Sequence, residues 1–421
     1  MIRIGGLAGC ASVVYKKGAV VQARAWGQAD IEAGTPFGFD TYCRLFCMTK
    51  TYVAVAFMTL VDEGKASPND RVDKYLPSFA GVRVRVEGSS KTEKPKRPML
   101  VKHLMSHTSG IGYAPDLGEE PEDPESRSYA KLQAAVNRGS ISSLRVFVDS
   151  LAKIPLCEHP GTKYNYSFSF DVLGRILEVI TGKNLDVCLQ ERVFGPLGMT
   201  DTNWAVPTGE LHRLAALYAG PKTCKHLYGS LRGRLPKAPQ TELCRIDGHK
   251  ARDSHWREGQ ECKVLSGGGF MGYLYGGLMS TVADTSRFVR VLWNYGEMEG
   301  GGRLLKKSTV VEMEKNRLKK NEDKVCYLGN IGVYREGADE LGMGGAACTY
   351  WNIDRKDGTA TVWFAQHVDM PEFEDLKGVD PKKADLWAAL HRAVVQGAKR
   401  KRGGVSTPAA KRQRGSAAKS S

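Results

Sequence analysis

The chain has 421 residues, 42% of them apolar and 25% charged, and carries a formal net charge of +15 at neutral pH. That length suits one large domain or two interleaved ones around an extensive core, and no window offers the ~18 uninterrupted apolar residues of a membrane-spanning helix. A soluble protein with no membrane partner is therefore expected.

In chain order, the first predicted elements are two β-rich runs in "ASVVYKKGAVVQARAW" (11–26), joined as a hairpin at Lys17-Gly18. A helix is expected from near Cys47, with Val53, Phe57, Leu60 and Val61 at helical spacing and a stop at Gly64. A polar, basic loop follows at 83–98, then an acidic, Pro-rich one at 114–126. Val172, Leu173, Ile176 and Val179 mark a second helix that stops at Gly182. Residues 219–240 read as a third loop.

Late in the chain, "KVCYLGNIGVYRE", "GAACTYWNID" and "GTATVWFAQH" predict three strands, the last two turning at Asp357-Gly358. A closing helix is expected over about 383–395. Strands at both ends and helices between them predict an α+β fold rather than a doubly wound one. The expected domain spans 1–397, with sheet strands from 10–28 and 325–367 and a helical lobe over about 42–320.

Residues 398–421 hold Lys399, Arg400, Lys401, Arg402, Lys411, Arg412, Arg414 and Lys419 with no acid. Without bulky apolar residues this tail cannot repay its ordering entropy, so disorder is expected. Its two basic clusters have the spacing of a bipartite nuclear localisation signal, which would make a nuclear import receptor its partner and the source eukaryotic; a solubilising tail or a sequence-blind polyanion contact are the alternatives. The body lacks the basic and aromatic interleaving of single-strand binders, so no specific nucleic acid is expected. The ten cysteines show no framework spacing, which suits reduced thiols in a cytoplasmic or nuclear compartment.

Chemistry concentrates at "LFCMTKTYVAVAFMTLVDEGK" (45–65). On a helix, Cys47 and Lys50 lie on one face with Cβ atoms ~5–6 Å apart, and a thiol at a helix N-terminus beside a lysine favours the thiolate. Cys224, His226, Cys244, His249, His255 and Cys262 lack the paired spacing of a zinc site, so no metal and no other cofactor is expected. "SHTSGIG" (106–112) is not a nucleophile elbow, and "SGGGFMGYLYGG" (266–277) lacks the residues that cradle phosphate.

"LFCMTKTYVAVAFMTLVDEGKASPNDRVDKYLP", "VKHLMSHTSGI", "PGTKYNYSFSFDVLGRILEVITGKNLDVCLQERVFGPLGMTDT", "YGGLMSTVADTSRFV" and "LGMGGAACTYWNID" occur in this order. Together they resemble the serine β-lactamase-related family, which includes class C β-lactamases, D-Ala-D-Ala carboxypeptidases and β-lactamase-fold esterases. The likeness runs from about 11 to 396 and implies a β-lactamase/transpeptidase-like fold. The family's S-x-x-K motif falls on Cys47 to Lys50, with cysteine in place of the nucleophilic serine, and its tyrosine motif on Tyr166-Ser167, with Phe168 where many members have Asn.

The third motif, [KH]-x-G, falls on Met343-Gly344-Gly345, the expected substrate-binding strand. The basic residue is lost there, leaving nothing to hold a substrate carboxylate. The resemblance implies Cys47 as nucleophile, Lys50 as base and Tyr166 as proton shuttle, with the backbone N–H groups of Cys47 and Ala346 as oxyanion donors. A small-molecule acyl substrate, an ester or related amide-type compound, is the expected ligand. Met48, Phe46 and Trp351 are either apolar cleft walls or ordinary core. Two readings follow, an esterase-like acyl hydrolase or an inactive descendant serving as a binding or assembly module.

Overall fold

The computed structural model describes residues 7–114, 121–220, 243–247, 267–268, 277–318, 325–328 and 340–368. Its centre is a six-stranded antiparallel sheet of β1 (Gly9–Lys16), β2 (Ala19–Asp30), β3 (Thr35–Pro36), β4 (Glu340–Gly345), β5 (Thr349–Asp354) and β6 (Thr359–Ala365). The spatial order is β4-β5-β6-β1-β2-β3, so the two ends of the chain meet where β1 pairs with β6. Lys17-Gly18 makes the first hairpin turn with both residues at positive φ, which glycine adopts freely.

β5 and β6 are buried along their whole length, so both faces of the sheet are covered there, whereas most of β2 is exposed. Val13, Trp351, Ile353, Val362 and Phe364 join the main core, whereas Cys10, Tyr350, Trp363 and Ala365 form a second cluster with Leu7. Such doubly covered strands read as continuous apolar runs rather than alternating ones.

The main core unites the sheet with a helical layer of α1 (Thr49–Asp62), α2 (Val101–Met105), α3 (Pro124–Asn137), α4 (Leu144–Leu151), α5 (Ser169–Thr181), α6 (Val282–Trp293) and α7 (Lys307–Glu314), with shorter turns between. α1 is buried from Thr49 to Leu60, the mark of a central helix. Its end is a Schellman motif: Gly64 sits at φ +72°, its N–H donates to Val61 O at 2.9 Å and that of Lys65 to Leu60 O at 2.9 Å. α5 ends at Gly182, as its sequence indicates.

Four expectations need correction. Residues 325–328, within the first of the three expected late strands, are coil and turn, and the next described strand is Glu340–Gly345. The apolar run there predicts a strand, but Val325, Cys326 and Leu328 instead bury themselves as a loop. The acidic loop gives way at Pro124 to α3, whose start is fixed by Asp123 accepting from Ser126 N–H at 2.7 Å. The basic loop contains a small hairpin, Val84–Arg85 with Thr92–Glu93. Cys244 is disulfide-bonded, whereas the seven other described cysteines are free thiols. The expected helix over 383–395, the tail and most of the third loop lie outside the described residues.

Candidate active site

The chain enters the site through the two-residue strand Cys43–Arg44, paired with Met279–Ser280. Leu45 N–H donates to Leu278 O at 2.8 Å, and Phe46 then takes φ +47°. A left-handed bulky residue is costly unless its surroundings hold it. Phe46 is held: it is fully buried among Leu217, Ala219, Ile246, Ala347 and Val368. The 3₁₀ turn Phe46–Met48 follows, and α1 starts only at Thr49. Cys47 is thus carried on a tight turn and is half-buried while both neighbours are fully buried.

Lys50, one turn further on, is fully buried. Its ammonium donates to Gly268 O, lies 4.5 Å from the centre of the Tyr166 ring and is close enough to Cys47 to hydrogen-bond its side chain. Burial pulls its pKa below the ordinary 10.5, while Cys47 and Asp171 pull the other way. Tyr166 is fully buried, and burial together with Cys47 and Tyr113 raises its pKa well above 10. The phenol therefore keeps its proton at neutral pH, and the amine is the group nearer to release.

A buried polar chain backs this pair. His107 stacks on Tyr166 at 4.6 Å, and its Nδ1 is 3.2 Å from Ser167 Oγ. Ser167 Oγ meets Ser169 Oγ at 2.6 Å, which meets Ser109 Oγ at 2.8 Å. Burial, then Lys50, holds His107 well below 6.5, so it is neutral. Asp171, fully buried on α5, accepts from Gly268 N–H at 3.2 Å. One residue, Gly268, thus joins the carboxylate to the lysine through its two flanking peptide groups, since its carbonyl oxygen accepts from Lys50.

β4 closes the other side of the turn. A Cβ built on Gly345 would lie 2.2 Å from Leu45 O, so only glycine fits against the segment leading into Cys47. Gly344 has no comparable crowding, its nearest atoms being 3.7 Å away. Ala346 is exposed in the turn after β4, and among the described residues its N–H has no backbone acceptor. Met343, opposite Trp351, is 2% exposed and packed in the main core, where it presents no charge.

The fold therefore gathers Cys47, Lys50 and Tyr166 and sets Met343, Gly344, Gly345 and Ala346 on the neighbouring strand and turn. Phe46, Met48 and Trp351 are fully buried core, the plainer of their two readings. Phe168 is buried too, stacked on Tyr113 at 4.5 Å. His107, Asp171 and Gly268 were not picked out as site residues from the sequence. An acid inside the apolar run "FSFDVLG" was the available signal, because a buried carboxylate needs partners. Among the described residues no group of three or more His, Cys, Asp or Glu side chains could hold a metal; most of the weighed zinc set lies outside them.

A nucleophile-type residue on the turn leading into a core helix, a lysine in that helix's first turn, a facing buried tyrosine and a glycine-rich strand make a constellation that can be compared with known families. The sequence profile of the Beta-lactamase family matches residues 3–380. The chain belongs to that family. An uncharacterized protein of Mycobacterium tuberculosis is 29% identical over 388 residues, 86% of each chain. Esterase EstB of Burkholderia gladioli is 34% identical over 221 residues, half of each chain. Among solved structures, EstCE1, a hydrolase with promiscuous acyltransferase activity, superposes with a TM-score of 0.67 at 23% identity, covering 90% of this chain and 92% of its own. A simvastatin synthase variant from Aspergillus terreus gives 0.68 at 20% identity, covering 95% and 93%. At those identities the likeness is one of fold. The Beta-lactamase family's architecture, a sheet from both chain ends beside a helical layer, is the one found here.

Proposed function

We propose that this Beta-lactamase family member is an esterase-like acyl hydrolase in which Cys47 stands in the place of the family's serine and forms a thioester intermediate. The observation that carries the reading is Lys50, a fully buried amine with a lowered pKa beside the Cys47 side chain and the Tyr166 ring. Neutral Lys50 takes the thiol proton, and the thiolate attacks the ester carbonyl carbon. The backbone N–H groups of Cys47 and Ala346 hold the resulting oxyanion, a donor type worth ~10²–10³ in rate. The C–O bond then breaks, and Tyr166, resupplied by Lys50, gives its proton to the departing alkoxide. Water attacks the thioester with Lys50 as base, which releases the acid and restores the thiol.

Neutral esters or thioesters fit best, because Met343 supplies no cation for a substrate carboxylate. The similarity to an esterase supports this substrate class. The test is hydrolysis of a short neutral p-nitrophenyl ester by the wild type, Cys47→Ala and Cys47→Ser, with thiol labelling of Cys47. Turnover that disappears in Cys47→Ala while the wild type labels is the expected result. An inert wild type with an active Cys47→Ser would make the site a disabled serine hydrolase. Inactivity of all three without labelling would leave the fold as a scaffold. For the 398–421 tail, we propose nuclear import, supported by its two basic clusters; a tail fusion that stays cytoplasmic in a eukaryotic cell would refute it.

A further inference from the structure

We propose that a basic cavity formed by the 83–98 loop is a second ligand site, one that takes a small organic polyphosphate of the size of a nucleoside diphosphate. The cavity encloses about 450 Å³, and none of its lining residues belongs to the constellation around Cys47. That volume falls within the range of small-molecule sites. Its rim carries Arg71, Arg83, Lys94, Lys96 and Arg97 against a single acid, Asp73.

The acid is already committed. Both Asp73 oxygens accept from the Arg71 guanidinium, at 2.9 and 2.5 Å. Arg83 is partly satisfied by donating to Thr92 O at 2.8 Å. Lys94, Lys96 and Arg97 have no carboxylate within 4.0 Å among the described residues, although Glu93 is next to Lys94 in the chain. Glu93 instead faces His159 at 3.0 Å. The rim therefore holds an excess of four positive charges, and converging like charges repel unless an anion joins them.

This loop is built rather than loose. Arg85 N–H donates to Leu156 O at 2.9 Å and Leu156 N–H to Arg83 O at 2.7 Å, which ties the loop to the body. Lys96 N–H donates to His159 Nδ1 at 3.4 Å, and Arg85 pairs with the buried Glu125 at 3.0 Å. The cations thus project from a fixed backbone. Beneath them Phe79, Val82 and Met99, all buried, form an apolar floor. Guanidinium forks suit phosphate oxygens, and the floor suits the flat apolar part of an organic phosphate better than a bare ion.

The probe is ADP, titrated calorimetrically into the full-length protein at low and at near-physiological salt, beside inorganic phosphate. The basic tail is a rival anion site, so a variant with its eight cations changed to Gln is measured in parallel. Expected is one ADP site that survives tail neutralisation, weakens with salt, and loses at least ten-fold in affinity in Lys94→Gln/Lys96→Gln/Arg97→Gln. The rate of Cys47 labelling should be unchanged in that variant, and Lys96→Arg should keep the affinity. ADP binding that disappears with the tail cations, that is indifferent to the triple change, or that is absent at millimolar ADP overturns the proposal. Inorganic phosphate binding as tightly as ADP does so too, since it would leave only an ion site.

Discussion

Gly345→Ala is the sharpest probe of how the site is assembled. Its new Cβ would stand 2.2 Å from Leu45 O and 2.4 Å from Thr349 Oγ1. Ordinary van der Waals contact begins near 3.4 Å, so the strand and the Leu45 turn must separate by roughly 1 Å. Leu45 is anchored by Leu278 behind it, and Phe46 by its apolar cluster, so the turn cannot yield without disturbing both. The separation falls between Cys47 and Ala346, the two proposed oxyanion donors. A misplacement of about 1 Å in such a site costs on the order of 10² in kcat/KM, and overpacking a fixed contact costs about 1–3 kcal/mol of stability. Gly344→Ala is the matched control, since its Cβ would meet nothing closer than 3.7 Å and the residue has no positive φ. The assay is ester hydrolysis with urea unfolding for all three proteins. Gly345→Ala keeping kcat/KM within two-fold of wild type, or Gly344→Ala losing as much stability in urea as Gly345→Ala, would refute the reasoning.

Lys50→Met should lower kcat/KM by ~10²–10⁴ while leaving the helix packed, because it removes the base but keeps an apolar chain of similar length; ester hydrolysis and urea unfolding together check this. Asp171→Asn keeps an acceptor for Gly268 N–H but removes a charge that raises the Lys50 pKa, so the acid limb of the pH profile, read by turnover and by alkylation of Cys47, should move to lower pH. Of the other groups facing Lys50, Tyr166 stays protonated and His107 neutral near neutral pH, and an acid limb that does not move would show that Asp171 does not act on the lysine. His103 accepts from Leu100 N–H at Nδ1, 3.1 Å, and burial, then Lys102 and Arg97, pulls it from 6.5 to about 4. The unfolded chain binds this proton below about pH 6.5 and the folded one only near 4, so stability falls as pH drops through that window, by about 2 kcal/mol between pH 7 and 5. His103→Gln should remove that part of the pH dependence in urea unfolding; an unchanged slope would show that His103 does not titrate this way.

Much of the local structure is legible because it rests on neighbours in the chain. Lys17-Gly18 turns the first hairpin, Gly64 stops α1 and Gly182 stops α5, each through a backbone conformation that glycine tolerates. The three-residue spacing from Cys47 to Lys50 sets thiol and amine on one side of a helical turn before any packing is considered. At 325–328 the apolar pattern predicts a strand, yet these residues form a buried loop held by Arg317 N–H to Val325 O and Tyr327 N–H to Met313 O. An isolated strand pattern says nothing about what it pairs with.

The sequence by itself thus determined the two-ended sheet, the central helix and the pairing of Cys47 with Lys50. Only the tertiary structure decided that Tyr166 lies over that lysine with His107 stacked on its ring, that Gly268 links the lysine to Asp171, and that Gly345 presses on Leu45. These partners come from segments far apart in the chain, and a lysine's pKa responds to the water it has lost and the charges packed around it. Spacing along a helix is fixed by backbone geometry, whereas desolvation and close approach exist only once distant segments have closed on one another.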